Sequence, residues 1–154
     1  MIHYLLIFNA KSKIRFSVFY SPMSFSEQQN VIRFVTNAVI RRSNRSCNFL
    51  ELEDLPEDLK LVYRHYASLY FTLCIDKNES ELSILDFIQS FVEVLNGIFV
   101  NVCEVDITFN FAKVDYILQE MIVGGLVVET DVNEVISRVK LLEEQEKKPN
   151  EKCN

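Results

Sequence analysis

The stretch LKLVYRHYASLYFTLCID, residues 59–76, decides the fold. It is rich in β-branched, aromatic and aliphatic residues and has no glycine or proline, a composition typical of strands. Tyr66-Ala67-Ser68 in its middle predicts a turn between two adjacent strands. In the second strand, residues 69, 71, 73 and 75 are apolar and share one face, and the opposite face is also largely apolar. Because both faces need cover, this strand is predicted to lie in the middle of a sheet.

The small pair Ala67-Ser68 forms a low spot between the bulky residues Tyr66 and Leu69. Two interpretations are open. The low spot is a socket for an apolar guest, or small residues stand here only because they ease a tight turn.

Three further strands and a helix are predicted on the N-terminal side. Residues 2–8 and 14–20 predict a hairpin, and residues 47–52 predict a short strand. Ser24 followed by Glu27 matches a capping box, in which the two side chains satisfy backbone donors at the start of a helix.

The helix predicted over residues 81–99 has more apolar surface than one core requires. Apolar residues cover about two-thirds of its circumference, whereas a helix on one core needs an arc of roughly 100° or a little more. The surplus must be covered by the chain's own remaining helices or by another protein, because exposed it would promote aggregation. A partner contact is expected at five apolar residues, namely Ile84, Phe87, Phe91, Val94 and Ile98.

The C-terminal third predicts two more helices. Residues 101–109 alternate weakly and predict a short irregular segment. A helix is predicted over residues 110–123 with Gly124-Gly125 as its stop, and another begins near Asp131. Almost all residues from 143 onward are polar, so a domain over residues 1–142 and a disordered tail over residues 143–154 are predicted.

Length, charge and cysteine content exclude several classes of protein. A chain of 154 residues suits one domain, and a net charge of −6 argues against nonspecific nucleic-acid binding. The four cysteines are widely spaced and there are only two histidines, so neither a zinc site nor another cofactor is expected. The thiols are expected to be reduced in the cytosol, and three of them are expected to pack as small hydrophobes. The apolar run at residues 4–8 is too short for a signal peptide, and no membrane span is expected. The protein is therefore expected to reach membranes through a partner.

No catalytic motif is present in the sequence. It contains neither a glycine-rich phosphate loop nor G-x-S-x-G. Glu104 and Asp106 are two positions apart. Acidic residues at that spacing are far commoner as surface or capping residues than as catalytic pairs. A pairing of Cys103 with His65 stays open, although nothing in the local sequence supports it. An enzyme is not expected.

Five ordered motifs resemble the sigma (small) chains of the heterotetrameric clathrin-adaptor family. They are MIHYLLIFNAKSKIRFSVFY from residue 1, CNFLE from residue 47, LVYRHYASLYF from residue 61, FVEVLNGIFVNVCEVDITFNF from residue 91 and GGLVVET from residue 124. The resemblance extends over about residues 1–140. KLVYRHYASLYF and DKNESELSILDFIQSFVE are most similar to the sigma chain of adaptor protein complex three, although the tail is shorter than in that type.

The resemblance implies a longin-like α/β fold, a five-stranded antiparallel sheet with helices on both faces. It also implies a constitutive large, delta-type partner chain, with beta and mu chains completing the complex. The implied role is vesicle-mediated sorting of membrane cargo from Golgi and endosomes to lysosomes or vacuoles, by a cytoplasmic complex that binds those membranes peripherally.

The resemblance further implies a site for acidic dileucine signals, [DE]-x-x-x-L-[LI], in cargo tails. Arg15 would meet the acidic residue of the signal. The residues that would line the sockets for the two leucines are Tyr66, Ala67, Leu69, Val92, Asn101, Val102 and Ile107. Without the resemblance, Arg15 with Lys11 and Lys13 reads equally well as a solvated turn.

Two rival functions follow from other classes of protein. The chain could be a purely structural subunit that supports the large chain without touching cargo. A longin-type membrane-fusion or tethering subunit would carry a coiled coil or a membrane anchor at its C-terminus, and the polar residues after Leu142 provide neither.

Overall fold

A computed structural model describes residues 1–42, 48–50 and 55–147. Cys47 and Cys153, part of the predicted strand at 47–52 and the end of the predicted tail lie outside the described residues. The elements in chain order are β1 (Ile2–Asn9), β2 (Ile14–Phe19), α1 (Phe25–Ile40), β3 (Phe49–Leu50), β4 (Leu59–Tyr66), β5 (Leu69–Asp76), α2 (Glu81–Phe99), α3 (Glu104–Phe109), α4 (Phe111–Met121), β6 (Ile122–Val123), β7 (Leu126–Val127) and α5 (Val132–Lys147).

Five strands form an antiparallel sheet in the order β2-β1-β5-β4-β3. β5 is its middle strand, as the apolar character of both its faces predicts. Leu69, Phe71, Leu73 and Ile75 pack into one core with α2, α4 and α5, whereas Cys74 packs into a second core with α1. The predicted longin-like α/β fold with helices on both faces is therefore confirmed.

Two helix starts follow the predicted capping chemistry. The Glu27 amide donates to the Ser24 hydroxyl over 3.2 Å, and the Ser24 amide donates to the Glu27 carboxylate over 3.1 Å. Near the start of α5 the Glu134 amide donates to the Asp131 carboxylate over 3.1 Å. These bonds satisfy backbone donors that the first turn of a helix leaves without partners.

The prediction that α2 offers Ile84, Phe87, Phe91, Val94 and Ile98 to a partner is wrong for most of that face. Phe87, Phe91 and Val94 are at most 1% exposed and lie in the chain's own core. Ile84 is 5% exposed and Ile98 is half-buried. The cause is that α2 packs both against the sheet and against α4 and α5 of the same chain. Of the two expected covers for its apolar surface, the chain's own elements therefore apply.

α2 also has the length and hydropathy of a membrane span, with 19 residues and a mean hydropathy of 1.4. The expectation that no stretch of the sequence approaches a membrane span is therefore wrong for α2 by length and hydropathy. A core helix passes the same test, and α2 packs against the sheet and against α4 and α5.

The region after α2 is more regular than the sequence suggests. Residues 104–109 form helix α3 instead of an irregular segment, and the Asp106 carboxylate accepts the Cys103 amide over 3.0 Å at its start. The predicted helix over 110–123 ends at Met121, because residues 122–123 pair with residues 126–127. Gly124 and Gly125, with φ of +58° and +85°, form the turn of this hairpin and do not cap a helix.

Two smaller expectations also fail. α5 continues to Lys147, so residues 143–147 of the predicted tail are helical, in keeping with the strong helix formers KLLEEQEK at 140–147. Glu143 forms an ion pair with Lys113 of α4, which holds this last turn against the domain. Cys103 is exposed and does not pack as a small hydrophobe, whereas Cys74 is buried as expected.

Gly97 allows α2 and α5 to approach each other, and its replacement should separate them. A Cβ at this position would lie 2.5 Å from Cδ1 of Ile136 in α5. We expect Gly97→Val to lower the free energy of unfolding by about 1–3 kcal/mol through overpacking. In a double-mutant cycle measured by urea denaturation, Ile136→Ala should partly relieve that cost. Strictly additive costs would contradict this contact.

Candidate functional site

The eight residues predicted to bind a peptide belong to one region, at the end of the sheet where the β1–β2 and β4–β5 turns lie side by side. Arg15 is on β2, Tyr66 ends β4, Ala67 is in the turn and Leu69 begins β5. Val92 is on α2, Asn101 and Val102 follow α2, and Ile107 is on α3. Leu69, Val92, Val102 and Ile107 belong to one core cluster, and Tyr66 packs against it.

The apolar members of this set are closed off from solvent. Leu69 is 1% exposed, Val92 2%, Val102 4% and Ile107 0%. Tyr66 is half-buried, and Ala67 and Asn101 are exposed. In this conformation the four apolar side chains fill the space where leucine sockets were predicted. A peptide could reach them only if the surrounding elements moved.

Asn96, near the C-terminal end of α2, holds the region together. Its side-chain amide nitrogen donates to the Tyr66 hydroxyl over 2.8 Å, and its amide oxygen accepts from the Val102 backbone amide over 2.9 Å. One side chain therefore connects β4, α2 and the segment that leads into α3. Because both bonds are partly shielded from water, they favour the closed arrangement more than exposed bonds would.

Four residues around the region have left-handed backbone. Ser12 in the β1–β2 turn has φ of 63°, Ala67 53°, Val100 52° and Asn101 64°. Asparagine tolerates this conformation, but for β-branched Val100 it is a genuine outlier that costs free energy. At Ala67 the tight turn itself requires the left-handed residue, which supports the interpretation that a small residue stands here to form the turn.

Arg15 already has an acidic partner within the chain. Its Nε donates to the Glu104 carboxylate over 2.5 Å, and Nδ2 of Asn9 donates to the same carboxylate oxygen over 2.8 Å. These two hydrogen bonds, that from Arg15 first, hold the pKa of Glu104 below its ordinary value, and the nearby charges of Arg15 and Lys13 add to the effect. The site therefore contains a carboxylate at the position where the predicted ligand would bring one.

The rim of the region is apolar and basic. Val100, Val105 and Phe109 are 78%, 60% and 80% exposed, all on or beside α3. Lys11 and Lys13 are exposed on the β1–β2 turn. This combination can bind a segment that carries both apolar and acidic side chains.

The sequence did not point to Asn9, Asn96 or Glu104 as members of the site. Asn9 and Glu104 are 95 positions apart, and only the packing of α3 at this end of the sheet brings them together. The interpretation of Glu104 and Asp106 as capping or surface residues holds for Asp106, which caps α3. It fails for Glu104, whose side chain points at Arg15.

Comparisons with known proteins agree over nearly the whole chain. The family model described as "Clathrin adaptor complex small chain" matches residues 1–146. The "AP-3 complex subunit sigma-2" of Homo sapiens is 46% identical over 149 residues, covering 96% of this chain and 77% of that protein. The "AP-3 complex subunit sigma" of Dictyostelium discoideum is 46% identical over 154 residues, covering 97% and 90%.

A structural relative gives the same result. It is a chain of a structure described as "Homology model of the full-length AP-3 complex in a stretched open conformation". It aligns with a TM-score of 0.73 at 36% identity, and the alignment covers 94% of this chain and 95% of that one.

Proposed function

Because this chain belongs to the clathrin adaptor complex small chain family, we propose that it is the sigma chain of an AP-3-type complex and binds acidic dileucine signals in the tails of membrane cargo. Adaptor small chains act in vesicle trafficking. Their family is one of trafficking proteins and not of enzymes. The AP-3 assignment is supported by the 46% identity to sigma chains of that complex in distant organisms. Its finer role, sorting cargo from Golgi and endosomal membranes toward lysosomes or vacuoles, follows from that assignment.

The observation that carries the cargo proposal is the convergence of Arg15 with a core of small and branched apolar residues. Arg15 on β2 is hydrogen-bonded to Glu104 of α3. Leu69, Val92, Val102 and Ile107 come from four segments other than β2 and belong to one core cluster. A cation together with apolar side chains supports the proposal, because an acidic dileucine signal presents an acidic group followed by two apolar ones. Opening the region would expose the four apolar side chains to the two leucines.

The energies predict weak binding to a single signal. Burial of two leucine side chains contributes roughly 3–6 kcal/mol, and an Arg15–carboxylate contact about 0.2–1 kcal/mol. Ordering the peptide and opening the closed region both reduce that gain. We therefore expect a dissociation constant no tighter than about micromolar, which corresponds to roughly −8 kcal/mol. Recruitment to membranes would then depend on several contacts made at once by the complex.

The large, delta-type chain is the proposed constitutive partner, with beta and mu chains completing the complex. Since most of the predicted face of α2 is buried, the large chain must bind to other surfaces. The β6–β7 hairpin is one candidate, because Val123, Leu126 and Val128 are about three-fifths exposed, at 60%, 59% and 58%. A cavity of about 470 Å³ lies beside it and is lined in part by Ile84, one of the predicted interface residues.

A purely structural role is the second candidate, and the closed region favours it. If the four apolar side chains never become exposed, this chain only supports the large chain, and the cargo contact lies elsewhere in the complex. The two candidates differ in whether a dileucine peptide binds at Arg15.

Peptide binding to the complex separates the two candidates. The complex, purified through a tag on this chain, would be titrated into a fluorescent Glu-x-x-x-Leu-Leu peptide and followed by polarisation. We expect saturable binding that falls at least tenfold when both leucines become alanine, because their burial is lost. Arg15→Gln should weaken binding about two- to fivefold, and Lys11→Gln, an exposed cation on the same turn, should change it less.

Peptide binding that does not depend on the two leucines, or that Arg15→Gln leaves unchanged, would favour the structural role. Recovery of the partner chains with the Arg15→Gln protein shows that the variant still assembles, so a loss of peptide binding reports on the site itself.

A further inference from the structure

We propose that Glu104 is a specificity-determining residue, an internal competitor that holds Arg15 until the acidic residue of an incoming peptide displaces it. The inference rests on the function proposed above and adds the residue that sets the affinity of the same site. It accounts for the hydrogen bond that Arg15 makes to a carboxylate of its own chain.

The contact between Arg15 and Glu104 is partly shielded from solvent. The two side chains are 28% and 26% exposed, and the Nε–Oε1 distance is 2.5 Å. A charge-assisted hydrogen bond at such a site is stronger than one between fully exposed groups. An incoming carboxylate that binds the guanidinium must therefore replace a favourable contact and does not meet a free cation.

Asn9 shows that the position of Glu104 is built into the fold. Asn9 is 9% exposed, and its Oδ1 accepts from the backbone amides of Lys11 and Lys13 over 2.9 and 3.0 Å. These two bonds fix the orientation of its amide group, so Nδ2 points at the Glu104 carboxylate over 2.8 Å. The turn that carries the site's lysines thus also positions the competitor.

Glu104 connects the Arg15 contact to the apolar part of the site. It is the first residue of α3, and Ile107, three positions later, is fully buried among the socket residues. Val102 and the left-handed residues Val100 and Asn101 precede α3, in the segment between α2 and α3. Release of Glu104 from Arg15 removes one of the bonds that hold α3 in place, so a ligand acid both replaces Glu104 and loosens the helix that covers the sockets.

Asp106 provides a matched control on the same helix. Its carboxylate accepts the Cys103 amide over 3.0 Å and is not the partner of Arg15. Asp106→Asn removes the same negative charge two residues away and keeps an oxygen that can accept this bond. A comparison of Glu104→Gln with Asp106→Asn therefore separates competition for Arg15 from a general change in charge.

The test measures two peptides on the tagged complex that carries each variant of this chain. One peptide has the sequence Glu-x-x-x-Leu-Leu, and the other has glutamine in place of the glutamate. We expect Glu104→Gln to tighten binding of the acidic peptide about three- to tenfold, because it no longer competes with an internal carboxylate. The glutamine peptide should change little, and Asp106→Asn should reproduce less than half of the gain.

Three results would overturn the proposal. In the first, Glu104→Gln weakens the acidic peptide, which would mean that Glu104 positions Arg15 for the ligand. In the second, both variants tighten binding equally, which would reduce the effect to overall charge. In the third, no variant binds a peptide in a leucine-dependent way, which would overturn the proposed function and this inference with it, whereas the first two leave the proposed function standing.

Discussion

Replacement of Phe91 by alanine is expected to lower the free energy of unfolding of the isolated chain by about 3–5 kcal/mol, the range for loss of a buried aromatic ring. Phe91 is 1% exposed. Its ring meets Phe71 of β5 edge-on at 6.1 Å between centroids and stacks on Phe87 one turn earlier at 6.2 Å. The substitution leaves a cavity between α2 and the sheet, where the surrounding side chains cannot fully collapse. Urea denaturation followed by far-UV circular dichroism measures the change.

Leu82 is the matched control on the same helix. It is 74% exposed, so Leu82→Ala should change the free energy of unfolding by no more than about 0.5 kcal/mol. If Phe91→Ala left the isolated chain stable and prevented assembly with the large chain, the ring would belong to an interface between chains, and the description of α2 as a self-covered core helix would be wrong.

Lys60→Met is expected to lower the free energy of unfolding by about 2–4 kcal/mol, because two backbone carbonyls lose a donor that water cannot easily replace. Lys60 is 3% exposed, and its ammonium donates to the carbonyls of Lys77 and Glu79 over 2.7 Å each. It also donates to the Glu81 carboxylate over 2.8 Å. Methionine fills the space of the lysine stem, so the loss would report the polar contacts. Thermal and urea denaturation measure it.

Glu81→Gln tests which of those contacts matters. The hydrogen bond from Lys60 is the main reason that the pKa of Glu81 lies below its ordinary value. Glutamine keeps an oxygen that can accept from the ammonium, so this variant should lose much less stability than Lys60→Met. Equal losses would show that the charge pair, and not the turn carbonyls, accounts for the effect of Lys60.

Local patterns were sufficient to predict the sheet and most helices. The apolar character of both faces of β5 and the capping box at Ser24 depend on residues that are close in sequence, and both are as predicted. The segment at 104–109 was missed because its helical start rests on the Asp106 contact with Cys103, while its apolar residues alternate weakly. Gly124-Gly125 was misread because a helix stop and a hairpin turn require the same left-handed backbone.

The partner face on α2 could not be predicted from the helix alone. A count of apolar positions measures how much surface must be covered, but it does not say which element covers it. Phe91 is covered by Phe71 of the sheet, and α4 and α5 also pack against α2. This packing is a property of the tertiary fold. For the same reason the contact between Arg15 and Glu104 was missed, since it joins residues that are 89 positions apart.

The pairing of β1 with β5 has a consequence for synthesis of the chain. β1 lies between β2 and β5, and its residues from Tyr4 to Phe8 are at most 2% exposed in the folded protein. β2 emerges from the ribosome soon after β1, but β5 follows only after α1 and β4. During that interval the nascent polypeptide carries an unpaired apolar strand edge, the condition in which chains aggregate and chaperones bind them. The edge of β1 that faces β5 therefore stays unpaired at least until residue 76 has emerged from the ribosome.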